Sequence, residues 1–273
     1  LISKPTMTLS CFQHVKRTID CKRPPAPPQI VFMEYLVDRS GSMSSYGTGV
    51  VLQSNQLIFE QQEQARKTGI LTHFTLTTFD DVSEQPFSSM DLGSAILPGL
   101  VELNHWMKPR NCTRLIDTAI ESIDILMEKT KKFINKVPKA VVGLLDMNSV
   151  VMVFALFTDG HDNASEFSSG VLNRKMKLFE KKGGVAMFLA ANQDAVRTGY
   201  NFGFSVDRSL TVGTTGATAS AALRGTSELM RSATKGERSA SYSKVVREES
   251  CPMNFGYSSD EDDMLNYGII GQV

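Results

Sequence analysis

The sequence lacks the cysteine spacings that build zinc or redox sites. Its four cysteines are Cys11, Cys21, Cys112 and Cys251, and they form no CxxC pair. We therefore expect free thiols in a reducing intracellular (cytoplasmic) compartment. A Cys11–Cys21 disulfide is the alternative, because both residues lie in the same loosely patterned N-terminal region.

The chain also lacks an excess of charge of either sign, since 29 Lys and Arg residues are balanced by 29 Asp and Glu residues. Nucleic acid is therefore not the expected partner, because bulk nucleic-acid binding needs a basic surface. Cations near the C-terminus, such as Arg231, Lys235 and Arg238, leave a local nucleic-acid contact open. Glu237 and Glu248 dilute that stretch.

Long hydrophobic runs are missing as well. The longest strongly apolar stretch covers residues 150–157, whereas a membrane-spanning helix needs about 20 residues. We expect no membrane span and see no signal peptide of the usual form. Because the sequence begins at Leu1, a lost targeting segment stays open.

Hydrophobic residues make up 41% of the chain, enough for a packed core. Short apolar runs alternate with amphipathic stretches. The runs predict strands over residues 30–37, 70–79, 151–157, 185–191 and 209–212; the stretches predict helices over 50–67, 115–133, 167–181 and 217–232. We interpret residues 80–107 as irregular, with a short edge strand near Pro86–Phe87. This alternation predicts an α/β fold with a doubly wound, mostly parallel sheet flanked by helices.

Three regions follow from these patterns. Residues 1–29 form an N-terminal extension, because the stretch "CKRPPAPPQ" favours extended polyproline II. Residues 30–232 form the domain. Residues 233–273 form a C-terminal arm, extended or partly disordered, which contains the acidic run "SSDEDDM" at residues 258–264.

Oxygen-bearing side chains follow the predicted strands. Asp38, Ser40 and Ser42 alternate in "DRSGS" after the first strand, and Asp159 follows the strand 151–157 in "TDG". Thr113 precedes the strongest predicted helix. Ligands of open α/β sheets bind at the carboxyl ends of the strands, and two carboxylates with three hydroxyls suit Mg²⁺ or another hard cation, Ca²⁺ or Mn²⁺. Taken singly, these residues are ordinary turn and N-cap residues.

This combination resembles the von Willebrand factor A (VWA) domain and its metal-ion-dependent adhesion site, whose pattern is DxSxS, then a threonine, then an aspartate. The stretches "TDGHDNAS" and "FLAANQDA" further resemble an intracellular subgroup found in bacteria, phages and large DNA viruses. The likeness covers about residues 30–232. Asn111 and Cys112 stand where the family often has glycines, which affects the expected position of Thr113.

The resemblance implies a Rossmann-like fold and a non-enzymatic protein-binding module. It implies a metal held by Asp38, Ser40, Ser42, Thr113 and Asp159, with an acidic partner side chain completing the coordination shell. The two arms suggest a subunit of a larger assembly, such as a structural component of a virus or phage particle. The alternative is a cytosolic adaptor or chaperone that assembles a metal-dependent enzyme or ATPase complex.

Catalytic readings find less support in the sequence. The stretch "GSMSSYGTG" lacks the Lys–Ser/Thr of a P-loop, and there is no GxSxG elbow. His161 could act as a base beside the site, and Asp38 could accept a phosphoryl group, but the partner residues of such sites are not evident. The acidic run is a further hypothesis, since its carboxylates could reach the metal of the same or a neighbouring copy.

Overall fold

A computed structural model describes residues 30–136, 149–191 and 194–252 of the chain. Within them six strands alternate with seven α-helices. The strands are β1 (Ile30–Asp38), β2 (Leu71–Phe79), β3 (Ser83–Asp91), β4 (Val150–Thr158), β5 (Gly184–Ala191) and β6 (Ser209–Val212). The helices are α1 (Gly49–Thr68), α2 (Leu100–Trp106), α3 (Leu115–Lys136), α4 (Ser169–Lys181), α5 (Ala195–Phe202), α6 (Gly216–Thr234) and α7 (Lys244–Ser250). Short 3₁₀ helices cover Gly41–Tyr46 and Val206–Arg208.

The six strands form one sheet in the order β3-β2-β1-β4-β5-β6. All neighbouring pairs are parallel except β2 and β3, which are antiparallel. The strand order reverses at β1, where the chain crosses from β2 on one side to β4 on the other. The carboxyl ends of β1 and β4 therefore lie side by side at the switch point, where open α/β sheets place ligands.

Two apolar layers cover the sheet because successive side chains of a strand point to opposite faces. In β1, Val31, Met33, Tyr35 and Val37 pack with apolar residues of α1 and α6. The alternate residues Ile30, Phe32 and Leu36 pack with those of α3 and α4. Burial on both faces explains why the central strands are almost continuously hydrophobic in sequence.

The fold class predicted from the sequence, an α/β protein with a mostly parallel sheet between helices, is confirmed. The predicted buried strands and amphipathic helices form, with ends that shift by at most three residues. The prediction for residues 80–107 was wrong in part. This region contains the nine-residue strand β3, not a short one, and also the helix α2.

Part of the predicted C-terminal arm packs onto the domain. Helix α7 lies beside β6, where Gly213 N–H donates to the carbonyl of Ser250 at 2.7 Å and Ser250 Oγ donates to the carbonyl of Thr211 at 3.1 Å. The predicted boundary at residue 233 stays a prediction. Residues 1–29 and the acidic run at 258–264 lie outside the described residues.

Two features of the described residues bear on compartment. Cys112 and Cys251 are free thiols, whereas the alternative Cys11–Cys21 pairing lies outside the described residues. Among the described helices, none combines the length and the apolar character that crossing a membrane requires.

Candidate metal centre

The loop after β1 fixes the first carboxylate of the site. Asp38 is the last residue of β1 and is buried. Its Oδ1 accepts the backbone N–H of Ser40 at 2.7 Å, and its Oδ2 accepts the hydroxyl of Thr158 at 2.6 Å. These two bonds turn the chain sharply after the strand and tie the ends of β1 and β4 together.

Hydroxyl groups connect this carboxylate loop to the second aspartate. Ser40 Oγ lies 3.1 Å from Ser42 Oγ, and Ser42 Oγ donates to Asp159 Oδ1 at 2.8 Å. Ser40 and Asp159 are buried, whereas Ser42 is exposed at the surface. The group is therefore anchored in the protein and open to solvent at one side.

Gly160 marks the point where the three loops meet. A methyl group placed on Gly160 would lie 3.0 Å from Thr113 Oγ1, 3.5 Å from Ser42 Oγ and 3.7 Å from Asp38 Oδ2. A side chain here would fill the space that these three oxygens share. The structure thus brings the predicted residues of all three loops to one place.

The position of Thr113 is set by the loop after β4. Asn163 Oδ1 accepts the N–H of Thr113 at 2.8 Å, and the N–H groups of Asn163 and Ala164 donate to the Thr113 carbonyl at 3.0 and 3.2 Å. Asn111, which stands where the resembled family often has glycine, adopts a glycine-like positive φ of 57°. Its carbonyl accepts the N–H of Gly41 at 3.2 Å, so the threonine loop also contacts the loop after β1.

Buried Asp117 clamps the same loop to the start of α3. Its Oδ1 accepts the N–H of Phe167 at 2.9 Å, and its Oδ2 accepts the N–H of Glu166 at 2.9 Å. Burial acts to raise the pKa of the Asp117 carboxyl, but these two bonds and the nearby Arg114 outweigh it and lower the pKa. The carboxylate thus remains ionised and holds the loop in place.

The electrostatics of the two site carboxylates differ from those of Asp117. Burial raises the pKa of Asp38 to about 6, against hydrogen bonds from Thr158 and Ser40, and the neighbouring charge of Asp159 adds to the rise. Burial likewise raises the pKa of Asp159, while the hydrogen bond from Ser42 opposes it. Two adjacent, partly desolvated carboxylates without a bound cation are thus held in an unfavourable state.

The donor set fits a hard divalent cation. Asp159 Oδ2 is buried and has no hydrogen-bond partner among the described residues, which is costly for a polar atom unless a ligand satisfies it. Within the described part of the chain, no cluster of three or more His, Cys, Asp or Glu side chains is placed to hold a metal. Because this group has two carboxylates and three hydroxyls, it suits a cation that keeps part of its water shell.

Sequence reasoning missed the residues that hold the site together. Thr158 and Asp117 were not singled out, and Asn163 was noted only within a motif. Asp117 did carry a signal, because it is a charged residue between the apolar positions Leu115 and Ala119 of a predicted helix. His161, considered as a base, is exposed, and Asn192 and Gln193 of "FLAANQDA" lie outside the described residues.

No protein-family model matches the chain, and no curated protein sequence matches it significantly. Comparison with solved structures does find neighbours. Proximal thread matrix protein 1 from the mussel byssus is 15% identical with a TM-score of 0.47, over 76% of this chain and 46% of that one. The PilB minor pilin of Streptococcus sanguinis is 11% identical with a TM-score of 0.48, over 77% and 63%.

A third neighbour is the vWF domain of the pilus tip protein Mfa5 from Porphyromonas gingivalis, at 8% identity and a TM-score of 0.48, over 75% of this chain and 96% of that domain. A von Willebrand factor type A structure from Catenulispora acidiphila is a further neighbour, at 14% identity and a TM-score of 0.43, over 78% of this chain and 44% of that one. Another structure of the mussel protein has a metal-ion-dependent adhesion site (MIDAS) motif occupied by zinc. The chain spans less than half of the mussel protein.

Proposed function

We propose that this chain is a protein-interaction module that binds its partner through a divalent cation, with Mg²⁺ as the physiological metal. The residues that would hold it are those at the three strand ends: Asp38, Ser40, Ser42, Thr113 and Asp159. A VWA module with a complete metal-ion-dependent adhesion site is the interpretation that the arrangement favours.

The convergence of oxygens around Gly160 carries this proposal. Oxygens of Asp38, Ser42 and Thr113 all lie within 3.7 Å of the position that a methyl on Gly160 would take. The buried Asp159 Oδ2 has no hydrogen-bond partner in the described part of the chain. An unpaired buried carboxylate oxygen is costly in a protein that binds nothing there, and a cation among these oxygens would satisfy it.

The chain's own residues suit the binding of an acidic partner. Two carboxylates balance a divalent cation, and a cation held by so few protein ligands remains electrophilic toward an outside carboxylate at a position that the protein does not fill. Ser42 is exposed at the edge of the group, so a partner side chain can approach from that side. The buried hydrogen bonds from Thr158 and Ser40 keep Asp38 fixed while this happens.

The partner is a protein in a multi-subunit assembly under this proposal. A role in a virus or phage particle and the alternative role as an adaptor for an enzyme or ATPase complex both stay predictions. The same holds for the absence of catalysis, for an intracellular location and for the likeness to the intracellular subgroup. The experiments below separate metal binding from partner binding.

Metal binding is tested with Mn²⁺ as the probe, followed by the loss of its free-ion EPR signal on addition of the purified chain. We expect one bound Mn²⁺ per chain, displaced by Mg²⁺, and a loss of at least about tenfold in affinity, or ~1.4 kcal/mol, in Asp159→Asn. Asp124→Asn is the matched control, because Asp124 lies on the exposed side of α3 and pairs with Lys175 at 2.7 Å. Equal Mn²⁺ binding by both variants would disprove the proposed centre.

Partner binding is tested by purifying the native complex in Mg²⁺ and then in EDTA. Partners that leave in EDTA and return with Mg²⁺ support the proposal, and they should fail to return to Asp159→Asn. Partners that remain bound in EDTA place the interaction elsewhere on the chain and contradict it.

A further inference from the structure

An open pocket of about 310 Å³ lies beside the candidate metal centre, on the other side of the same two loops. Its lining residues are Arg39, Glu84, His105, Lys108, Pro109 and Arg110. The N–H of Arg110 donates to the carbonyl of Arg39 at 2.8 Å, and three residues later the same segment reaches Thr113. Arg39 stands between Asp38 and Ser40, so pocket and metal centre share both loops.

The pocket lining is predominantly cationic. Arg39, Lys108 and Arg110 contribute positive charge against the single carboxylate of Glu84. Arg39 and Arg110 lower the pKa of Glu84 to about 2, chiefly by hydrogen bonding to its carboxylate. Asp80, buried behind the pocket, lies 3.3 Å from Arg39 Nε and takes up one further charge. Lys108 is exposed at the rim, and the exposed Asp81 beside Arg110 offsets one more charge there.

Arg39 also carries an unsatisfied donor. Its side chain is only 2% exposed, and its Nη1 donates to Glu84 Oε2 at 2.9 Å and to the carbonyl of Trp106 at 3.1 Å. Its Nη2 is buried without a hydrogen-bond partner among the described residues. Because that donor is closed to solvent, the exposed Lys108 and Arg110 are the cations that an incoming carboxylate reaches first.

The C-terminal segment leaves the domain at the same edge of the sheet. Gly213, just after β6, donates its N–H to the carbonyl of Ser250 at 2.7 Å. The carbonyl of Gly213 in turn accepts the hydroxyl of Tyr46 at 3.2 Å, and Tyr46 belongs to the 3₁₀ helix that follows "DRSGS". Helix α7 therefore ends beside the loop of the metal centre, with Pro252 the last described residue.

The length of chain after Pro252 is sufficient to reach the pocket. The eight residue steps from Pro252 to Asp260 span at most about 28 Å. Strand β6 is three positions from β1 and four from β2, which is about 14–19 Å at the usual strand spacing. The acidic run at residues 258–264, with Asp260, Glu261, Asp262 and Asp263, thus comes within range of Arg39 and Lys108.

We propose that the basic pocket lined by Arg39, Lys108 and Arg110 binds carboxylates of the acidic run (residues 258–264) of the same chain. An acidic partner that binds at this pocket would then compete with the run. Attachment to α7 gives the run a high effective concentration at the pocket. This inference goes beyond the proposed function and does not require a metal.

The test is zero-length carbodiimide cross-linking of the purified full chain, freed of metal with EDTA and then of the EDTA by gel filtration, read by mass spectrometry. We expect Lys108 to be joined to a carboxylate of residues 260–263. Lys175 and Asp124, whose Nζ and Oδ1 lie 2.7 Å apart, serve as the internal positive control. A mixture of ¹⁴N- and ¹⁵N-labelled chains should yield only products of a single isotope.

Two outcomes of the cross-linking would overturn the proposal. One is a Lys175–Asp124 product without any product from Lys108 to the acidic run. The other is a Lys108 product of mixed isotopes, which would assign the acidic run to a neighbouring copy. Because the chain has been freed of metal beforehand, neither outcome depends on whether the metal centre functions.

A second measurement does not rely on the reactivity of Lys108. A fluorescent peptide of residues 256–267 should bind at least tenfold more tightly to a chain whose acidic run is neutralised (Asp260→Asn, Glu261→Gln, Asp262→Asn, Asp263→Asn) than to the unchanged chain. Adding Lys108→Gln to that chain should weaken peptide binding several-fold. Adding Lys67→Gln should not weaken peptide binding, because Lys67 is exposed at the opposite end of the sheet. Equal peptide binding by the neutralised and unchanged chains would contradict the proposal.

Discussion

At the scale of single residues, the candidate metal centre includes a position, residue 160, where glycine leaves space for the surrounding oxygens. Gly160 has an ordinary φ, so its backbone conformation does not require glycine. Its importance lies in the space beside it, which Thr113 Oγ1, Ser42 Oγ and Asp38 Oδ2 border at 3.0–3.7 Å from a would-be methyl. We therefore expect glycine at this position to matter for the site and not for the fold.

Gly160→Ala should therefore reduce metal binding more than stability. We expect Mn²⁺ affinity to fall at least about tenfold, or ~1.4 kcal/mol, because the methyl takes the space that the three oxygens share. The unfolding midpoint in EDTA should change little. Both quantities are measured on the same preparation, by EPR titration and thermal denaturation. Gly216→Ala is the control, since a methyl there meets nothing within 4 Å; parallel losses of affinity in both variants would refute this role.

The residues that bear ligand oxygens could be predicted from the sequence, but their supports could not. Asp38 and Asp159 follow recognisable buried strands, and the carboxyl ends of adjacent parallel strands meet by topology. Thr158 and Asn163 act through individual hydrogen bonds to Asp38 and Thr113. Such bonds depend on how two loops pack against each other, and the pattern of residues along the sequence does not predict that packing.

At the scale of elements, α6 and α7 fit together around a glycine. Gly225 is buried in α6, and a methyl placed on it would lie 2.4 Å from Val246 Cγ1 of α7. A helix interior otherwise favours alanine over glycine by about 1 kcal/mol. Here the close approach of the two helices reverses that preference.

Gly225→Ala should destabilise the chain by about 1–3 kcal/mol through overpacking, and Val246→Ala should relieve much of that cost in the double variant. The measurement is urea unfolding of the two single variants and the double variant, analysed as a double-mutant cycle. Gly170→Ala is the control, because the nearest atoms to its added methyl are 3.8 Å away. Additive free energies in the cycle would show that the two residues are not in contact.

The elements that sequence reasoning missed or predicted too short are those with a weak hydrophobic pattern. Strand β3 lies at the edge of the sheet, where most of its side chains are half-buried or exposed, and it includes Pro86. Helix α7 contains five polar residues in "KVVREES" and is held by Arg247, which donates to the carbonyls of Ser209 and Asp207, both at 2.9 Å. Hydrophobic periodicity reveals a helix or strand that buries one apolar face. Strand β3 and helix α7 are instead attached chiefly through hydrogen bonds to backbone groups, which leave no such pattern.

At the scale of the whole molecule, a buried acid lies in the central strand. Glu34 of β1 is fully buried in the layer between the sheet and α3, and one of its oxygens accepts the hydroxyl of Thr77. Its Oε2 has no hydrogen-bond partner in the described residues. Burial raises the pKa of Glu34 to about 8, against the Thr77 bond and the charge of Lys129, which is held in place by Ser88 Oγ at 3.0 Å.

This raised pKa makes the stability of the whole chain depend on pH. Between about pH 4.5 and 8 the folded chain keeps a proton on Glu34 that the unfolded chain has released. The unfolded state therefore binds fewer protons, and stability falls as pH rises through this window. The contribution is fully present below pH 4.5 and is lost once pH passes the folded pKa.

Glu34→Gln should remove this dependence, because glutamine is neutral at every pH. The difference in unfolding free energy, variant minus unchanged chain, should increase by about 1–4 kcal/mol as the pH is raised from 5 to 8.5. Urea unfolding at pH 5, 6.5 and 8.5 in EDTA measures this while leaving the metal centre empty in both proteins. Glu63→Gln, an exposed glutamate of α1 paired with Arg66, controls for the loss of a carboxylate. If the unfolding free energies of Glu34→Gln and the unchanged chain differed by the same amount at all three pH values, Glu34 would not be protonated in the folded chain as proposed.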